Sequence, residues 1–261
     1  MPPVLNQISV DTANAYVSKT THNIERQLNH TRRPRPRALF PAYYKRAVCG
    51  RACGRSQKDT RDDLRAAAHW GLLLFETCGE PRERPRDVWE MRQVAGLLAA
   101  YGDAEQHVRL DGLPSSRWYH PPKPELEAGA LAYRLFNRFL VTRKVADEDL
   151  RALDEQLAQS GLHPVHTQAI APIAHCLVAI QQDNPHDFER SWGMLTNAFA
   201  TVAQHGEFRS RIEGLLDPMA LGLLALGHRH GFTMTVTSPY APADLLGPPT
   251  VDSAAEPAGV A

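Results

Sequence analysis

Several things are scarce in this chain, and each scarcity closes a class of explanation. Four cysteines in 261 residues are too few for the disulfide framework that staples small secreted folds. No stretch reaches the roughly 18 uninterrupted apolar residues that a membrane-crossing helix requires, so no membrane association is expected. The opening MPPVLNQISVDTANAY has neither a basic start nor an apolar core. That argues against a secretory signal and for a cytoplasmic location. The chain carries no phosphate-cradling glycine loop, no G-x-S-x-G elbow and no HExxH helix, so the motifs that most directly announce catalysis are missing.

Histidine is not scarce, and twelve of them invite a metal. Their spacing does not support one. His228 and His230 lie two apart, on opposite sides of a helix, and Cys49 with Cys53 supplies two of the four ligands a structural zinc needs. Cys49 could act as a nucleophile with His69 or His175 only if the fold brought them together. An all-α hydrolase or metal enzyme using scattered His and Cys is therefore the least favoured reading. The chain is read as a non-enzyme, with no catalytic residue, no metal ligand and no cofactor.

What the sequence does contain is helical periodicity. Apolar residues recur at three- and four-residue steps over 9–28, 39–53, 59–78, 88–101, 125–141, 147–159, 164–181 and 185–205. In the third of these, small Ala67, Ala68 and Gly71 would let a neighbouring helix approach closely. Asp59, Asp62 and Asp63 are assigned to its first turn, where the helix dipole favours acids. Asp183-Asn-Pro185 reads as a compact turn between antiparallel helices. Residues 102–124 carry Gly, Pro and Ser and read as a long connector.

The stretch that organises the rest is Leu215 to Leu246. Asp217 before Pro218 is an N-cap with proline at the first helical position. Met219, Leu221, Leu223, Leu224 and Leu226 then make a helix too apolar to face water, and basic His228, Arg229 and His230 precede a Gly231 stop. Such a helix must be the inner member of a bundle. The alternating Phe232–Thr237 after it predicts a short β segment, and Tyr240 between Pro239 and Pro242 reads as a rigid hook pinning the chain onto the bundle. The fold class expected is all-α: an irregular bundle of about eight to ten helices with a short C-terminal β segment. Residues 1–247 are expected to form one domain, and the small, proline-rich 248–261 a disordered tail.

Net charge is zero but polarised. Between Arg26 and Arg65 there are 12 Lys/Arg against 3 Asp/Glu, and the remainder is correspondingly acidic. Arg32, Arg33, Arg35 and Arg37 in a proline-broken connector are candidate partner contacts, as are Trp118 and Tyr119 in the 102–124 connector. No aromatic interleaving accompanies the arginines, so nucleic acid is disfavoured as the partner.

Two stretches carry a resemblance. Leu64-Arg-Ala-Ala-Ala-His-Trp-Gly-Leu-Leu-Leu-Phe75 resembles the first block of the immunity-protein-49 family of bacterial polymorphic toxin systems. GLLALGHRHGFTMTVTSPYAPADLL is similar to that family's ending, with Gly231, Ser238, Pro239, Tyr240, Pro242, Leu245 and Leu246 at the matching positions. The resemblance spans roughly residues 10 to 247, the middle in helix pattern alone. The Arg32–Arg37 connector and the tail after Gly247 fall outside it. It implies an immunity protein that binds and neutralises a cognate toxin, encoded nearby, by occluding it in a non-catalytic complex. The alternative is a helical scaffold or regulatory adaptor with no link to a toxin.

Overall fold

The computed structural model describes residues 8–30, 34–77, 88–114, 124–159 and 164–247. Ten α-helices run through them: α1 (Val10–His30), α2 (Pro36–Ala52), α3 (Gln57–Thr77), α4 (Val88–Tyr101), α5 (Ala104–Asp111), α6 (Pro124–Thr142), α7 (Asp147–Gln159), α8 (Pro164–Gln181), α9 (Pro185–Gln204) and α10 (Pro218–Arg229). Short 3₁₀ turns occupy Ile212–Leu215 and Ala243–Leu245. No helix among the described residues is long and apolar enough to cross a membrane. Trp118, Tyr119, Arg32, Arg33 and the 248–261 tail lie outside the described residues.

The inner helix is where the sequence places it. Every residue of α10 from Pro218 to Gly227 is buried. Asp217 caps it, its carboxylate accepting the Met219 N–H at 3.1 Å, and Gly231 takes the left-handed φ of 94° that ends it. Its closest partner is α4, and the two cross almost backbone to backbone. A Cβ on Gly222 would stand 2.5 Å from the Gly96 carbonyl oxygen, and one on Gly96 would collide with the Pro218 carbonyl. Two glycines facing each other thus set the approach, and α9 and α8 close the other sides of α10. The predicted close approach at α3 is also present: a Cβ on Gly71 would meet Val94 of α4 at 2.6 Å and Phe40 of α2 at 3.2 Å.

Helices α8 and α9 form the expected antiparallel pair. Asp183 adopts a φ of 53°, and the Asn184 side chain accepts the Asp187 N–H at 3.1 Å. Three expectations need correction. The 102–124 connector contains a helix, α5, opened by a capping box in which the Asp103 carboxylate accepts the Gln106 N–H and the Gln106 side chain accepts the Asp103 N–H. Only Asp59 lies in the first turn of α3. Asp62 pairs within α3 with Lys58 and Arg65, and the buried Asp63 bridges Arg55 and Arg46 of α2, so Asp63 ties α3 to α2 and neither acid answers the helix dipole in the first turn.

The third correction is the C-terminal β segment, because no strand exists among the described residues. Phe232–Thr237 has no second strand to ladder with. The Glu189 carboxylate of α9 takes that place, accepting the Thr235 N–H at 2.5 Å, the Thr235 hydroxyl at 2.8 Å and the Val236 N–H at 2.6 Å. Residues 232–246 instead run as a strap over the bundle. Its far end is tied by Asp244, which accepts from Arg51 at 3.1 Å and Gln57 at 2.9 Å, and by the Leu245 carbonyl, which accepts the Tyr101 hydroxyl at 3.0 Å.

Candidate functional site

The head of α10 gathers the polar groups that the apolar interior cannot leave unpaired. Arg92 of α4 is 2% exposed and Asp217 is fully buried, and they meet at 2.6 Å. The rest of the guanidinium is engaged by the Tyr133 hydroxyl, by the Ala169 carbonyl at 3.4 Å and by the Trp89 ring at 5.5 Å. Burial works against the Arg92 charge, and Asp217 with Tyr133 outweighs it, leaving the guanidinium protonated with a pKa above its ordinary value. The Asp217 N–H donates to the Tyr240 carbonyl at 2.7 Å, and the Tyr44 hydroxyl donates to the Leu216 carbonyl at 3.3 Å. Four helices and the strap therefore converge on one N-cap.

Tyr240 is the hook the sequence reads it as. It is buried, its ring meets Phe199 at 5.4 Å, and its hydroxyl accepts the Gln204 amide at 3.0 Å. The aromatic contacts continue from Phe199 to Phe208 and from Phe208 to Trp89, with centroids 6.1 and 5.2 Å apart. Beside this row opens a cleft of about 520 Å³, floored by Phe40, Tyr44, Phe199 and Leu216 and edged by Lys45, Glu90, Glu207, Arg211 and Glu213. The arrangement suits apolar and aromatic groups held at a mixed-charge rim.

The buried thiols, Cys49 and Cys176, are poor nucleophiles. Burial pushes Cys49 up to about 12, with Cys53 the next contributor, and burial also raises Cys176. Lys45 and Glu213 are the other groups acting on Cys49, and His69 and His175 both sit on exposed helix faces. His228 is half-buried with its pKa lowered by burial, while His230 turns to Asp183 at 3.2 Å and to the Phe232 ring. Buried His107, with its Nε2 3.0 Å from the Leu98 carbonyl, secures the start of α5 on α4. Among the described residues no three His, Cys, Asp or Glu side chains are grouped as a metal would need.

Of the six candidate contacts, Arg35 and Arg37 are described, and both are exposed at the opening of α2. The surrounding basic excess is largely absorbed within the molecule. Arg46, Arg51, Arg55, Lys58 and Arg65 make ion pairs, and Arg61 donates to the Asp244 carbonyl. What the sequence does not disclose is that Arg92 is the buried partner of Asp217. An arginine amid the apolar residues of 88–101 was the available signal. No family model, curated protein or solved structure matches this chain.

Proposed function

We propose that this chain is an immunity protein, one that binds a cognate toxin encoded nearby and neutralises it by covering its working surface in a non-catalytic complex. The observation that carries the reading is that the residues matching the family's ending act as one set. Gly231 ends the inner helix, Ser238 and Pro239 deliver Tyr240 to the Asp217 N–H, and Leu245 is fully buried where the strap closes. A resemblance concentrated in residues that lock a scaffold favours shared architecture over coincidence of composition. It also leaves the outer helix faces free to serve as a recognition surface. The toxin would be met inside the producing cell or its kin.

The test is growth rescue. The product of the neighbouring gene is expressed in a host cytoplasm with and without this chain, and the two proteins are co-purified. Rescue together with a stable complex is expected. Toxicity without rescue, or a stable complex with some other cellular protein in place of a toxin, would move the reading to the adaptor.

A further inference from the structure

Helices α7 and α9 both pack on α8 but hardly touch one another, and a valley of about 440 Å³ runs between them. Its floor is made by small and branched residues of α8, Ala171, Ala174 and Val178. Its walls are Leu150 and Leu153 of α7 and Met194 of α9. Met194 is 48% exposed, a large flexible apolar side chain standing at the lip with nothing over it among the described residues. Alanines on the floor would let a further helix come close, as the glycines do at the crossing of α4 and α10.

The charge on the α7 side of the valley is predominantly acidic. α7 carries five carboxylates, Asp147, Glu148, Asp149, Asp154 and Glu155, against the single Arg151, a net charge of −4. Asp154 lines the valley itself, and Asp147 lies on the same flank of the helix, seven positions earlier. On the opposite wall Asp187 and Arg190 neutralise each other at 3.0 Å. The α7 wall is therefore net acidic and the Asp187–Arg190 pair leaves the α9 wall neutral, while the floor is apolar apart from His175 and Gln182.

We propose that this valley is the seat of a basic amphipathic helix of the partner protein. Its apolar stripe would lie on Ala171, Ala174 and Val178 under Met194, and its Lys or Arg side chains would reach Asp154 and, further along the same flank, Asp147. The seat follows the helix-in-groove mode of recognition, with charge setting orientation and approach. The inference rests on the toxin-binding reading for the identity of the partner, not for the chemistry of the seat.

Two arms test it separately. In the first, the full chain is titrated with a synthetic helical peptide of leucines on one face and lysines on the other, and with its glutamate counterpart, by fluorescence anisotropy. The lysine peptide is expected to bind and to protect α7, α8 and α9 amides from hydrogen exchange, and the glutamate peptide is not. Ala171→Trp, which fills the floor, and Asp154→Lys, at an exposed position that leaves the core intact, are each expected to weaken binding about tenfold. Equal binding by the variants, or protection elsewhere on the molecule, overturns the proposal. So does a dimer of the chain that Ala171→Trp dissociates in sedimentation, since the seat is then filled by a second copy.

In the second arm the same variants replace the wild type in the growth-rescue assay. Loss of rescue with retained helicity supports the seat, and rescue by Ala171→Trp removes it while leaving the immunity reading standing. Failure of the wild type to rescue removes that reading alone, and the peptide arm still decides the seat.

Discussion

Replacing Arg92 by Met should show how strongly the interior depends on the charge balance at the head of α10. The substitution keeps roughly the same length of side chain but leaves the Asp217 carboxylate fully buried, with the Met219 N–H as its retained donor. Breaking a buried pair from one side costs about 3–5 kcal/mol. That is a large fraction of the 5–15 kcal/mol that typically holds a domain together. At about 2–4 °C per kcal/mol for a chain of this size, the midpoint should fall by roughly 6–20 °C. Arg92→Met/Asp217→Asn should recover most of the loss. Asparagine caps a helix as well as aspartate does, and the buried charge has gone. Urea titrations and thermal melts followed by circular dichroism give the free-energy loss and the midpoint shift. A loss below about 1 kcal/mol for the single variant, or a double variant no more stable than the single, would refute the reasoning.

Gly222→Ala should destabilise by about 1–3 kcal/mol despite the helix-propensity gain, because the new Cβ meets the Gly96 backbone, which cannot step aside. Gly193→Ala in α9, whose Cβ would meet nothing within 4 Å, should instead stabilise by up to about 1 kcal/mol in the same melts. Glu189 has its pKa lowered by the Val236 N–H, the Thr235 hydroxyl and the Thr235 N–H. A depressed carboxylate gives its support above its unfolded pKa and loses it as pH falls through the folded value. Protection factors of the Thr235 and Val236 amides should therefore hold at neutral pH and collapse below the usual glutamate range, and Glu189→Gln should lower them already at neutral pH. Tyr240→Phe should cost under about 1 kcal/mol, and Tyr240→Ala about 3–5 kcal/mol, because packing on Phe199 outweighs the hydroxyl bond to Gln204. Of Cys49, Cys53 and Cys176, mass spectrometry after brief alkylation near pH 7.5 should find Cys53 modified first. The other two are buried, and Cys49 is pushed up to about 12.

The elements that were legible in the sequence are those whose signals are local. Asp217-Pro218, the run of leucines and Gly231 specify a capped, buried, terminated helix without reference to anything else in the chain, and Asp183-Asn-Pro185 specifies its turn in the same way. The helix of 104–111 was signalled too, by Asp103 and Gln106 three residues on, but glycine and proline around it masked that capping box. Phe232–Thr237 failed for a different reason. Its alternation fits a strand, yet a strand exists only with a ladder partner, and the chain offers a carboxylate on α9 instead. Arg92 and Asp63 belong to the same class. Whether a charged residue is buried depends on what arrives from distant sequence, and Arg46, Arg55 and Asp217 are that information.

The Gly96–Gly222 crossing has a consequence for how the molecule is made. The two glycines are more than a hundred residues apart in the chain, and long-range contacts of that kind delay the step that commits a fold. During synthesis α4 emerges long before the helix that fills its groove, so Ala95, Gly96 and Ala99 have to wait beside solvent or under a temporary cover. A chain released short of Pro218 should keep its helices but lack its middle. In a bundle built around a late-arriving axis, quality control can read completeness from a single question: whether that groove is still open.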